Sequence, residues 1–117
     1  MTGQTGPMIT IHLRYQIDPE QLDTFTEYGR RWIRLVNRLG GDHHGYFLPA
    51  EGDNDEAFAL FSFPSLAAYE QYRIAATTDP ECIEAYELVR GTGCIVRFER
   101  RFQTPLFGDQ AVAEERA

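Results

Sequence analysis

A chain of 117 residues, 43% hydrophobic and 25% charged, is about one domain with room for a modest buried core and the composition of an ordinary soluble protein. Its net charge is −7 and all eleven basic residues are arginine, which makes nucleic acid a poor partner and removes lysine Schiff-base chemistry. No apolar run approaches the roughly 20 residues of a membrane span, so no membrane partner is expected either.

The opening MTGQTGPM has no basic residue and no apolar centre, so residues 1–7 read as a mobile arm rather than a secretory signal. MITIHLRYQID then alternates, with Ile9, Ile11, Leu13, Tyr15 and Ile17 on one face and Thr10, His12, Arg14 and Gln16 on the other. That is the period of a strand with one strongly apolar side. At DPEQ, Asp18 is placed to cap a helix, Pro19 suits its first position, and Gln21 completes the capping spacing. The helix runs to about Leu39 on the stripe Leu22, Phe25, Gly29, Trp32, Ile33, Val36 and Leu39. Acids early and arginines late oppose its dipole, and Gly40 and Gly41 stop it.

GGDHHGYFLP leads into a second strand. The polar AEGDNDE reads as a hairpin loop without calcium-loop spacing, and AFALFSF follows as a strand that is apolar on both faces. SLAAYEQYR is a short helix capped by Ser65, and helix restarts at Asp79–Pro80 to end at Gly91. GCIVRFERRF closes the domain as a strand, with Cys94, Val96, Phe98 and Phe102 on one face and Arg97, Glu99 and Arg101 on the other. The domain is placed at 8–105, and residues 106–117 read as a polar, acidic tail. The order predicts an α+β, ferredoxin-like βαββαβ fold, a four-stranded antiparallel sheet with its helices on one face. The third strand carries Phe58 and Leu60 opposite Ala59 and Phe61, so one apolar set faces away from the helices. A homodimer, sheet on sheet, is the expected cover.

The segments HHGYFLPAEG, FALFSFPSLAAYEQYR and CIVRFERRFQTP resemble the NIPSNAP family, over about Met8 to Pro105. The resemblance implies the dimeric α/β-barrel version of this fold. It carries no agreed set of catalytic residues to transfer. Eukaryotic members are associated with vesicle transport and mitochondria. With no basic residue before Arg14, that association is not carried over, and a cytoplasmic location is expected. More distant relatives by fold include cofactor-free monooxygenases, isomerases, cyclases and haem-handling proteins, and fold alone assigns none of these activities.

Three constellations are candidates for chemistry. In a regular strand His43 and His44 point to opposite faces and cannot share a metal, and with only His12 as a further histidine no metal site is expected. Alternation groups His44 with Tyr46, an imidazole and a phenol suited to acid–base or orienting work, against a structural reading of both as strand-end and packing residues. His12, Arg14, Arg97, Glu99 and Arg101 lie on neighbouring strands, either as an anion-binding pocket or as an ion-pair network at an interface. The aromatics Tyr15, Phe25, Tyr28, Trp32, Tyr69, Tyr72 and Tyr86 either line a cavity for a flat apolar ligand or form core. Cys82 and Cys94 read as buried, reduced thiols. Two functions follow. One is a cofactor-free enzyme or binder of a hydrophobic or anionic small molecule, with haem on an axial histidine as a minor variant. The other is a non-enzymatic dimeric interaction module.

Overall fold

The computed structural model describes residues 8–107, so the proposed N-terminal arm and most of the proposed tail lie outside the described residues. The elements are β1 (Ile9–Ile17), a 3-10 turn (Pro19–Gln21), α1 (Leu22–Arg38), β2 (Asp42–Phe47), β3 (Glu56–Phe63), α2 (Leu66–Ala76), α3 (Pro80–Val89) and β4 (Ile95–Gln103). The strands form one antiparallel sheet in the order β2-β3-β1-β4, the ferredoxin-like arrangement, and within the single chain that sheet is open rather than closed into a barrel.

The alternation of β1 survives intact. Ile11, Leu13, Tyr15 and Ile17 are buried against the helices, beside Ala57, Ala59, Phe61 and Phe63 of β3. Phe58, 40% exposed, and Leu60 face the other side, where no helix lies. Asp18 caps the first turn by accepting from the Glu20 N–H at 3.0 Å, and Gln21 reaches back to the same carboxylate at 3.1 Å. That turn hands over to α1, which buries Phe25, Tyr28, Gly29, Trp32, Leu35 and Val36. Tyr28 and Leu35 widen the expected stripe to the breadth a helix needs on a sheet. The helix closes at Gly40, whose φ is 103°, and the Gly41 N–H donates to the Val36 carbonyl at 2.9 Å.

Two strands depart from plain alternation. On β2 the pairing with β3 shifts between His43 and Gly45, and Gly45 takes a φ of 117°. On β4 the pairing with β1 shifts between Gln16 and Ile17, which skips Val96. Val96 is therefore 59% exposed instead of sharing a buried face with Cys94. Each is a bulge, one extra residue that resets which side chains face the core. Cys82 and Cys94 are fully buried and unpaired, and burial raises the Cys82 thiol to about 11, as inert structural cysteines require.

Candidate functional site

Between the helix-facing side of the sheet and the three helices lies a cavity of about 290 Å³. Its wall is largely aromatic. Six of the seven aromatics singled out from the sequence line it, namely Tyr15, Tyr28, Trp32, Tyr69, Tyr72 and Tyr86. The seventh, Phe25, lies behind in the core, edge-on to Tyr15 at 5.1 Å between centroids. Around Trp32 the rings interlock rather than stack in parallel. Trp32 meets Tyr72 edge to face at 84° and Tyr86 at a tilt of 54°.

The β2 bulge decides which histidine reaches this wall. His43 and Tyr46 face the helices together, their rings 5.2 Å apart and 10° from parallel, and both line the cavity. His44 goes to the opposite face, where its Nε2 lies 2.8 Å from the Ser62 Oγ, and Ser62 shares a 2.6 Å hydrogen bond with Thr10. The expected pairing of His44 with Tyr46 on one face therefore does not hold. The extra residue advances the alternation by one and exchanges the histidines. Tyr46 lies flat on α1 because residue 29 is glycine: a Cβ there would sit 3.1 Å from the ring.

The state of each group follows from its surroundings. Burial, helped by the neighbouring His44, lowers His43 to about 4, so its imidazole is neutral near pH 7. Its Nδ1 accepts the Gly45 N–H at 2.9 Å, which places the single proton on Nε2. That Nε2–H is buried without a hydrogen-bond partner, and so is the indole N–H of Trp32, a residue only 5% exposed. Burial also holds the phenols of Tyr28, Tyr46 and Tyr72 well above their usual range and takes Tyr15 to about 12. These tyrosines stay neutral and offer hydroxyls rather than phenolates.

The remaining candidates are divided between the two faces. Tyr15 and Trp32 are on the cavity wall. His12, Arg14, Arg97 and Glu99 lie on the helix-free face, where β1 and β4 place His12 opposite Arg101 and Arg14 opposite Glu99. Glu99 sits among Arg97 at 3.0 Å, Arg14 at 3.6 Å and Arg101 at 3.8 Å, while Arg14 also pairs with Glu56. Arg14, Arg97 and Glu99 thus belong to an exposed ion-pair network, His12 lies beside it on the same face, and none of the four joins Tyr15 and Trp32 in one site. Alternation missed His43, Arg73 and Arg100, which all line the cavity. Arg100 had a visible mark, a charge at an even position among the apolar Phe98 and Phe102. Among the described residues no cluster of three His, Cys, Asp or Glu side chains could hold a metal, and no helix is long and apolar enough to cross a membrane.

The NIPSNAP family model matches residues 12–107. A NIPSNAP-like domain protein of Burkholderia xenovorans is 22% identical, with a TM-score of 0.69 over 86% of this chain and 87% of that one. Two NIPSNAP family proteins of Agrobacterium tumefaciens are each 18% identical with TM-scores of 0.73. The first, whose function is unknown, aligns over 90% of this chain and 94% of its own, the second over 95% and 96%. At these identities the solved structures establish the fold alone. No curated protein matches the sequence.

Proposed function

The chain belongs to the NIPSNAP family, and on that premise we propose that it binds or acts on a hydrophobic small molecule in the cavity between sheet and helices. One observation carries the reading. The cavity is walled by aromatic rings, yet the ring N–H groups of Trp32 and His43 on that wall are buried with no partner. A buried, unmet donor costs roughly 1–3 kcal/mol, and a ligand bearing an acceptor would recover it. The neutral His43 and the neutral tyrosines suit such a site to orienting and hydrogen-bonding a substrate without a metal or cofactor.

The helix-free face supports the second part of the reading, a homodimer formed sheet on sheet. Phe58 and Leu60 lie there between the Glu99 ion-pair network and the Thr10–Ser62–His44 hydrogen bonds. An apolar centre with a polar surround is the composition of a protein interface. If the cavity proved empty of function, this face would leave the chain as a dimeric interaction module.

Native mass spectrometry of the purified protein, first gentle and then denaturing, tests both parts. A dimer that releases a small molecule on denaturation supports the cavity and gives the ligand's mass. A dimer that never carries or accepts a small molecule favours the interaction module, and a monomer removes the sheet-on-sheet assembly.

A further inference from the structure

We propose that the ligand of this cavity is an anion with an aromatic body, an aromatic carboxylate in the simplest case, whose charge is held by Arg73 and Arg100. The inference rests on the cavity being a ligand site and adds the chemical class of what enters it.

Ten of the eleven arginines fall within the described residues. Eight of them, Arg14, Arg30, Arg31, Arg34, Arg38, Arg90, Arg97 and Arg101, have a carboxylate within 4 Å. Arg73 and Arg100 have none among the described residues. In a chain with 18 acidic residues against 11 basic ones, cations left without an acid are the exception, and both of these line the one cavity. Neither is loose. Arg73 donates to the Tyr69 hydroxyl at 3.1 Å, and the Arg100 guanidinium lies 5.3 Å from the Phe98 ring centre. They come from α2 and β4, and both act electrostatically on the phenol of Tyr86, which also lines the cavity.

The rest of the wall favours the same ligand. No aspartate or glutamate lines the cavity, and its two unmet polar atoms, Trp32 Nε1–H and His43 Nε2–H, are both donors. A site with two unpaired guanidinium groups, two free N–H donors and no carboxylate is matched by a ligand rich in acceptors. Guanidinium is also the group best suited to grip a carboxylate in two places at once.

Calorimetric titration of the full chain with 2-naphthoate and with 2-naphthamide tests this, because the probes share a body and differ in charge. Naphthoate is expected to bind about tenfold more tightly, a preference worth one decade in Kd. Arg73→Gln with Arg100→Gln should abolish that preference, bringing the two probes to the same Kd. Arg101→Gln, on the opposite face, should preserve it. Equal affinities in the unmodified protein would overturn the anion assignment and leave the cavity reading standing. A preference that survives the double substitution would overturn the role of the two arginines. Binding of neither probe would remove the cavity reading and this inference with it.

Discussion

The imidazole of His43 lies nearly parallel to the phenol of Tyr46, with centroids 5.2 Å apart, although their odd spacing in a regular strand would send them to opposite faces. The contact exists because β2 shifts register between His43 and Gly45, and Gly45 supplies a backbone conformation, φ 117°, that side chains resist. Gly45→Ala should therefore cost at least about 1 kcal/mol. It should also loosen the cavity wall, although nothing near Gly45 would clash with a methyl group. Chemical denaturation reads the first effect, and loss of the His43–Tyr46 contact in proton spectra reads the second. Unchanged stability would mean that β2 can pair without this bulge.

Gly41 makes the opposite case, crowding without strain. A Cβ there would lie 2.7 Å from both Phe63 Cζ and Val36 Cγ1, and those side chains are each only 1% exposed. Neither can retreat into a packed core, so Gly41→Ala is expected to destabilise by about 1–3 kcal/mol, the usual range for overpacking. A wild-type denaturation midpoint would show that the end of α1 can move away from β3.

These two glycines also show where the sequence was legible. Patterning carried β1 because Ile11, Leu13, Tyr15 and Ile17 are an unbroken alternating set, and it carried the caps because Asp18, Ser65 and Asp79 each accept from the backbone as their positions suggest. It failed on β2, and on β4 only at Val96, because each bulge adds a residue that a period of two cannot count. The signal for the first was Gly45 itself, since glycine inside a strand often marks a bulge. The aromatic wall was legible as a set of residues but not as a cavity, because core and cavity share one composition. Arg73 follows Tyr69 by one helical turn and reads as an ordinary solvent-facing charge. Only the absence of an acid beside it distinguishes it, and that is a fact of three dimensions.

The depressed His43 gives stability a pH dependence of definite sign. Its folded value, about 4, is below the ordinary 6.5, so between these limits the unfolded chain binds the proton more readily. Its neutral, stacked form therefore contributes fully above about pH 6.5, and the contribution declines as pH falls toward 4. His43→Phe keeps a ring against Tyr46 and removes the titration. The melting temperature of the unmodified protein should fall more steeply than that of the variant between pH 6.5 and 4.5. Parallel profiles would mean that His43 is solvated enough to titrate normally.

The helix-free face should respond to a charge at its apolar centre. Leu60 lies on that face, paired with His12 across to β1, so an aspartate there would be buried against the partner sheet of a dimer. If the chain assembles sheet on sheet as proposed, light scattering should give twice the chain mass for the unmodified protein and a folded monomer for Leu60→Asp. A dimer that persists in the variant would place the interface elsewhere.

The two histidines separate the two faces in a single comparison. His44 has its Nε2 engaged with Ser62 on the helix-free face, whereas the Nε2–H of His43 is unmet on the cavity wall. If the cavity is the site, His43→Phe should weaken naphthoate binding about tenfold, a loss in keeping with one hydrogen bond to a charged group. His44→Ala should leave it unchanged. Trp32, the only tryptophan of the chain and itself on the wall, provides a fluorescence signal for both titrations. The reverse result would move the chemistry to the other face, where His44, Ser62 and Thr10 form a hydrogen-bonded line that a partner sheet would cover. Adjacent residues of one strand thus report on opposite sides of the same sheet, and the bulge at Gly45 determines which side each one serves.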